Sequence, residues 1–194
     1  MKVALFGGRF DPVHNGHLAV AREVLKVEAA DEVWFSLENQ HQWRPIVASV
    51  EDRRNMLELA ISSEHSTMFR KKMKIDLTPI ALGGLTETIS VIRELRKKMS
   101  GEILFVAGSD QLESFHKWTH WEELKNEVKF LIVARKGTPI INVPQNCIVI
   151  DDPSYTPLED SATRIRELRK AKKSILGLVP GKVEKYIIEH KLYE

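Results

Sequence analysis

The residues best placed to do chemistry lie in FGGRFDPVHNGHLAVA, residues 6–21. Gly7 and Gly8 close an apolar run, and His14 and His17 follow at the mouth of a helical segment. Adjacent glycines let a backbone turn sharply and approach a ligand with no Cβ in the way. A helix starting near Asn15 or Gly16 offers unpaired N–H groups and the positive end of its dipole. Histidines at i and i+3 share one face of the first turn. Together these features suit a phosphate. They do not form a P-loop, since no Gly-Lys-Ser/Thr follows, and the G-x-G-x-x-G dinucleotide pattern is absent. GLVPGKV, near the C-terminus, has the wrong spacing for a P-loop. Asp11 with the two histidines could ligate a metal, but no HExxH pattern or strong third ligand accompanies them, so no metal-binding residue is assigned.

Such a turn must be held at the end of a strand, and the chain supplies strands at regular intervals. KVALFG, DEVWFS, EILFVAG, VKFLIVAR and NCIVI are near-continuous apolar runs of the kind buried in a parallel sheet. Helical periodicity marks 16–28, 50–62, 87–99, 119–126, 161–173 and 181–191. Ser49 is a plausible N-cap for 50–62, with acidic residues in the first turn. Alternation of strand and helix predicts an α/β domain with right-handed crossovers, whose ligands bind beyond the carboxyl ends of the strands. The glycine pair falls at that edge.

Composition narrows the classes. The chain has 194 residues, 43% of them hydrophobic, which is enough for one core. Its formal net charge of +2, from 29% charged residues, is too balanced for a protein that coats nucleic acid or an anionic membrane, so neither partner is expected. The single Cys147 excludes a disulfide framework and suits a buried thiol in a reducing compartment. No signal peptide or membrane span is visible, and a cytoplasmic location is expected.

GGRFDPVHNGH resembles the G-x-F-x-P-x-H-x-G-H signature of the nucleotidylyltransferase superfamily. VWF with its Asn-containing loop, AGSDQLESFHKWTHWEEL, LIVARKG, SATRIRE and VPGKVEKYIIEHKLYE extend the resemblance over nearly the whole chain. The branch they resemble is that of the bacterial nicotinate (nicotinamide) mononucleotide adenylyltransferases. The resemblance implies a Rossmann-like parallel sheet with helices on both faces and a helical C-terminus, forming one nucleotidylyltransferase domain over 1–194. It implies transfer of AMP from ATP to a pyridine mononucleotide, with release of pyrophosphate and with Mg²⁺ accompanying ATP.

Residue by residue, the resemblance makes His14, His17 and Arg166 the catalytic candidates. Gly7, Gly8, Phe10, Gly108, Asp110, Ser161 and Thr163 join them in the ATP site, with a helix N-cap as the competing role for Asp110. Ala162 departs from the second serine of the family's I-S-S-T-x-I-R motif. Asn39, Arg44, Thr88, Trp118 and Arg135 correspond to mononucleotide contacts, Trp118 as the aromatic face for the pyridine ring. Trp121 is expected in the core. The family's P-P-H-K loop reads QHQWRP here, and Gly84 and Leu85 stand for the Tyr-Thr of its S-Y-T-x-D-T segment. Nicotinate and nicotinamide mononucleotide therefore both stay open as acceptors, as does another phosphorylated acceptor such as phosphopantetheine. A nucleotide-binding regulator without turnover is a third alternative. KKMS, 97–100, is similar to a signature of class I aminoacyl-tRNA synthetases, but it ends a helix ahead of a strand, and the chain is too short for a tRNA-reading domain. Oligomeric state, a homo-oligomer included, is open.

Overall fold

The computed structural model describes residues 1–40, 45–134, 138, 140–141, 143–150 and 161–194. Six parallel strands form one sheet: β1 (Lys2–Gly8), β2 (Glu32–Leu37), β3 (Met73–Asp76), β4 (Glu102–Gly108), β5 (Lys129–Val133) and β6 (Cys147–Ile150). Their order is β3-β2-β1-β4-β5-β6. From β1 the chain steps outward to β2 and β3, then returns to lay β4 on the other side of β1. The switch in direction therefore lies between β1 and β4, where open α/β sheets form their ligand crevice. In register, Gly8 lies opposite Leu37, and Gly108 opposite Val133.

Successive residues of each inner strand feed opposite faces. Ala4, Leu104, Val106 and Leu131 join one cluster with Val24, Met56, Leu57 and Val183. Leu5, Ile103, Phe105 and Phe130 join the other with Ile89, Ile92 and Leu124. Helices α1 (Asn15–Lys26), α2 (Val50–Ser62) and α8 (Gly181–Glu189) supply the first cluster, and α5 (Thr88–Lys98) and α6 (Trp121–Glu127) the second. Ser49 caps α2 by accepting the N–H of Asp52 at 3.0 Å. Lys97 and Lys98 pair with Glu94 at 2.9 and 3.1 Å in the last turn of α5, which leaves KKMS a helix end. The short α3 (Thr67–Lys72) and α4 (Thr78–Leu82) and a 3-10 helix, Ser109–Lys117, complete the connections before α7 (Ala162–Lys170).

Cys147 is half-buried rather than fully enclosed, because β6 is an edge strand. Burial still pushes its thiol up to about 11. Among the described residues no helix is long and apolar enough to cross a membrane.

Candidate active site

A cavity of about 670 Å³ opens at the carboxyl edge of the sheet, across the ends of β1, β2, β4 and β5. Gly7, Gly8, Phe10, His14 and His17 line one part, Gly108 and Asp110 another, and Thr88 and Trp118 a third. Glu38, Phe105 and Ala162 also face it.

The turn between β1 and α1 is built around Phe10 and Asp11. Phe10 is buried and holds φ at 47°, a left-handed value that a bulky residue adopts only under constraint from its surroundings. Its ring meets those of Phe6, His17 and Phe35 at centroid distances of 5.8, 5.0 and 5.6 Å. A Cβ on Gly8 would lie 3.0 Å from Cζ of that ring, so the turn closes over the glycine.

His14 is the N-cap of α1 and His17 its third residue. The backbone N–H of His14 donates to Nδ1 of His17 at 3.1 Å, and the two rings stack with centroids 3.6 Å apart. With Nδ1 accepting, the neutral His17 ring carries its proton on Nε2 and keeps a donor there.

Asp11 is buried, and its carboxylate accepts three hydrogen bonds: from the N–H groups of Val47 at 2.8 Å and Ala48 at 3.0 Å, and from the hydroxyl of Tyr193 at 2.9 Å. Those bonds occupy the group, so Asp11 braces the turn instead of serving a metal. Among the described residues no three His, Cys, Asp or Glu side chains converge on a metal position. Among the described residues the donor set therefore forms no protein cage for a divalent ion.

Arg166 on α7 donates from Nη1 to the carbonyl of Asp11 at 2.6 Å and from Nη2 to the hydroxyl of Thr163 at 3.3 Å. The guanidinium is thereby held against the same turn, 155 positions away in sequence. Ser161 caps α7 by accepting the N–H of Arg164 at 3.2 Å, so its hydroxyl is engaged as a helix cap. Asp110 does not cap its helix. Gly108 is the N-cap residue, while Asp110 is exposed in the first turn and accepts from Gln111 at 3.1 Å.

Trp118 lies at the C-cap of the 3-10 helix with its ring edge-on to Phe105 and Phe115, at 5.7 and 5.1 Å. Trp121 stacks on Phe115 at 5.0 Å and packs against the second core cluster, as its spacing predicts. Asn39 donates to the carbonyl of Gly84 at 3.2 Å, joining the loop after β2 to the loop before α5, and is not part of the cavity wall. Arg44 and Arg135 lie outside the described residues.

Two residues invisible as site candidates in the sequence support the turn. Arg53, buried on α2, donates from Nη1 to the carbonyls of Arg9 at 2.8 Å and Glu38 at 2.7 Å, fastening the segments after β1 and β2 to each other. Glu38 has its carboxyl pushed up to about 7 by burial, against the opposing pull of Arg9 and Arg53. Its Oε2 has no hydrogen-bond partner among the described residues. Arg53 carried no signal beyond its place on an amphipathic helix. For Glu38 the signal was a lone acid straight after a buried strand.

Comparison with known proteins agrees with this geometry. The cytidylyltransferase-like family model matches residues 5–173. The nicotinate-nucleotide adenylyltransferase of Bacillus subtilis (strain 168) is 36% identical over 197 aligned positions, covering 100% of this chain and 98% of that protein. A probable nicotinate-nucleotide adenylyltransferase of Bacillus cytotoxicus is also 36% identical, with the same coverage. In fold, the chain is similar to Plasmodium falciparum nicotinic acid mononucleotide adenylyltransferase complexed with NaAD, with a TM-score of 0.85, 19% identity, and 99% of this chain and 97% of that one covered. The same parasite enzyme complexed with APC gives a TM-score of 0.83 at 21% identity, covering 99% and 96%. With the two-histidine turn, the switch-point cavity and full-length identity at this level in agreement, the chain belongs to the cytidylyltransferase-like family and, within it, to the nicotinate-nucleotide adenylyltransferases.

Proposed function

We propose that this chain transfers the adenylyl group of ATP to nicotinate mononucleotide, forming the dinucleotide and pyrophosphate in the cytoplasmic synthesis of NAD. An oxygen of the mononucleotide phosphate attacks the α-phosphorus of ATP. The bond from that phosphorus to the α,β-bridging oxygen breaks, and the electron pair leaves with pyrophosphate. Displacements of this kind need alignment and charge stabilisation more than a protein nucleophile.

His14, His17 and Arg166 are assigned to the triphosphate. His17 donates from Nε2, which carries the ring proton because Nδ1 accepts the His14 backbone N–H. Arg166 supplies a fixed positive charge beside the same turn. Preorganised donors of this sort are most effective where negative charge grows in the transition state. Gly7, Gly8, Phe10, Gly108, Asp110 and Thr163 are assigned to the rest of the ATP site, together with Ser161, the cap of α7, whose first residue Ala162 lines the cavity. Mg²⁺ would accompany ATP as the counter-charge of the triphosphate, bound mostly through phosphate oxygens and water.

Trp118 and Thr88 are assigned to the mononucleotide, with Asn39 shaping the neighbouring loop and Arg44 and Arg135 as further basic contacts. The single observation that carries the assignment is that His14, His17 and Trp118 line one continuous cavity. A different phosphorylated acceptor is the second reading. It is favoured by the exposed Leu85 on the cavity wall, which with Gly84 beside it stands for the Tyr-Thr of the family's S-Y-T-x-D-T segment. Incubation with ATP, Mg²⁺ and, separately, nicotinate mononucleotide, nicotinamide mononucleotide and phosphopantetheine, followed by mass identification of the product, tests both. The nicotinate dinucleotide is the expected product, and adenylylation of phosphopantetheine alone would overturn the first reading.

A further inference from the structure

We propose that Tyr193, the penultimate residue, is a positioning residue for the triphosphate site, acting through Asp11 on Arg166. This inference rests on the assignment of Arg166 to ATP given above.

The tail enters the interior at an energetic cost. Tyr193 holds φ at 64°, a left-handed value, yet its side chain is buried, with 8% of its surface exposed. A non-glycine residue keeps such a backbone only where its surroundings over-determine it. Here the hydroxyl donates to Oδ1 of Asp11 at 2.9 Å, and burial together with the Asp11 charge keeps the phenol protonated, hence a donor. The carbonyl of that same Asp11 receives the guanidinium of Arg166 at 2.6 Å. One residue thus joins the tail to the charge assigned to the triphosphate, three positions before His14.

The chain beyond α7 meets this region at two further points. Nη2 of Arg169, one turn beyond Arg166 on α7, meets Oε1 of Glu194 at 2.8 Å. On the far side of His14, the backbone N–H of Asn15 donates to the carbonyl of Leu178 at 3.0 Å, and its side-chain amide donates to the carbonyl of Gly177 at 2.8 Å. Residues 11 and 15 are therefore both tied to the C-terminal segment, with His14 between them. The family model ends at residue 173, so all of these C-terminal partners lie beyond its match.

The test is a double-mutant cycle of Tyr193→Phe with Arg166→Lys, reading the Kd of a non-hydrolysable ATP analogue and the kinetics of dinucleotide formation. Phenylalanine keeps the ring and its burial, and removes only the hydroxyl. Alone, Tyr193→Phe is expected to weaken analogue binding and kcat/KM for ATP by about tenfold, with KM for the mononucleotide unchanged. In the Arg166→Lys background the same change is expected to cost less than about twofold, because residues acting as one unit are non-additive. Equal losses in both backgrounds, no loss in either, or a loss confined to the mononucleotide KM would overturn the proposal. If the wild-type chain makes no dinucleotide, the proposed function fails, while the cycle in analogue Kd still decides the role of Tyr193.

Discussion

His17 receives the backbone N–H of His14 on Nδ1 at 3.1 Å while the two imidazoles stack at 3.6 Å. Turning the His17 ring would break both its hydrogen bond to the His14 backbone and the stacking, so the imidazole that lines the cavity is held in one orientation. His17→Ala is expected to lower kcat by at least about a hundredfold, the usual cost of removing a preorganised transition-state donor. Pyrophosphate release measured on protein with an unchanged circular dichroism spectrum checks this. Near-normal turnover would remove His17 from the chemistry.

Trp118→Ala is expected to raise KM for the mononucleotide by about tenfold and to leave KM for ATP within about twofold, as befits a lost aromatic face. Because the ring also meets Phe105 and Phe115, Trp118→Phe should recover most of the stability and part of the affinity. A larger effect on ATP than on the mononucleotide would contradict the assignment.

Gly8→Ala places a methyl 3.0 Å from Cζ of Phe10, whose ring is itself wedged among Phe6, His17 and Phe35. Overpacking of this kind costs about 1–3 kcal/mol. The expected outcome is a lower thermal midpoint with kcat/KM for ATP reduced by about tenfold, since the ring that must yield rests on His17. Wild-type values in both measurements would show that the ring can give way freely.

Glu38 makes stability depend on pH in a stated direction. Its carboxyl titrates at about 7 in the fold and at 4.5 in the unfolded chain. Between those values the folded state holds the extra proton, so the contribution of Glu38 to stability is greatest below about pH 4.5, falls as pH rises toward 7 and levels off above it, a change of about 3 kcal/mol. Glu38→Gln lacks that slope. Urea unfolding at pH 5 and pH 8 should show the wild-type chain losing ground to the variant at the higher pH, and parallel behaviour would mean that Glu38 ionises normally.

Five of the six strands were legible because each is a run of large apolar residues long enough to be covered on both faces. β3, MKID, was not, since four residues at a sheet edge behind the charged RKK leave too short a pattern. α3 and α4 span only six and five residues, less than two helical turns, and the 3-10 helix before Trp118 does not follow the 3.6-residue period. Of the candidate site, His14 and His17 were visible because one local stretch carries both, and Arg166, which the structure holds against the same turn, was visible only through the resemblance. Asp11, Arg53, Glu38 and Tyr193 escaped because their roles come from contacts between distant parts of the chain. The sequence assigned Asp11 no role, and its bracing contacts come from Val47, Ala48 and Tyr193, which only the fold brings to its carboxylate.

The strand order also bears on how such a chain can diverge. The turn that carries both histidines follows the inner strand β1, whereas Gly84 and Leu85 lie in the connection that leaves the peripheral strand β3. Drift on that outer connection can reshape the cavity wall at Leu85 while the turn that carries His14 and His17 stays untouched. A lineage built this way can exchange one reaction partner for another and keep the same energy donor.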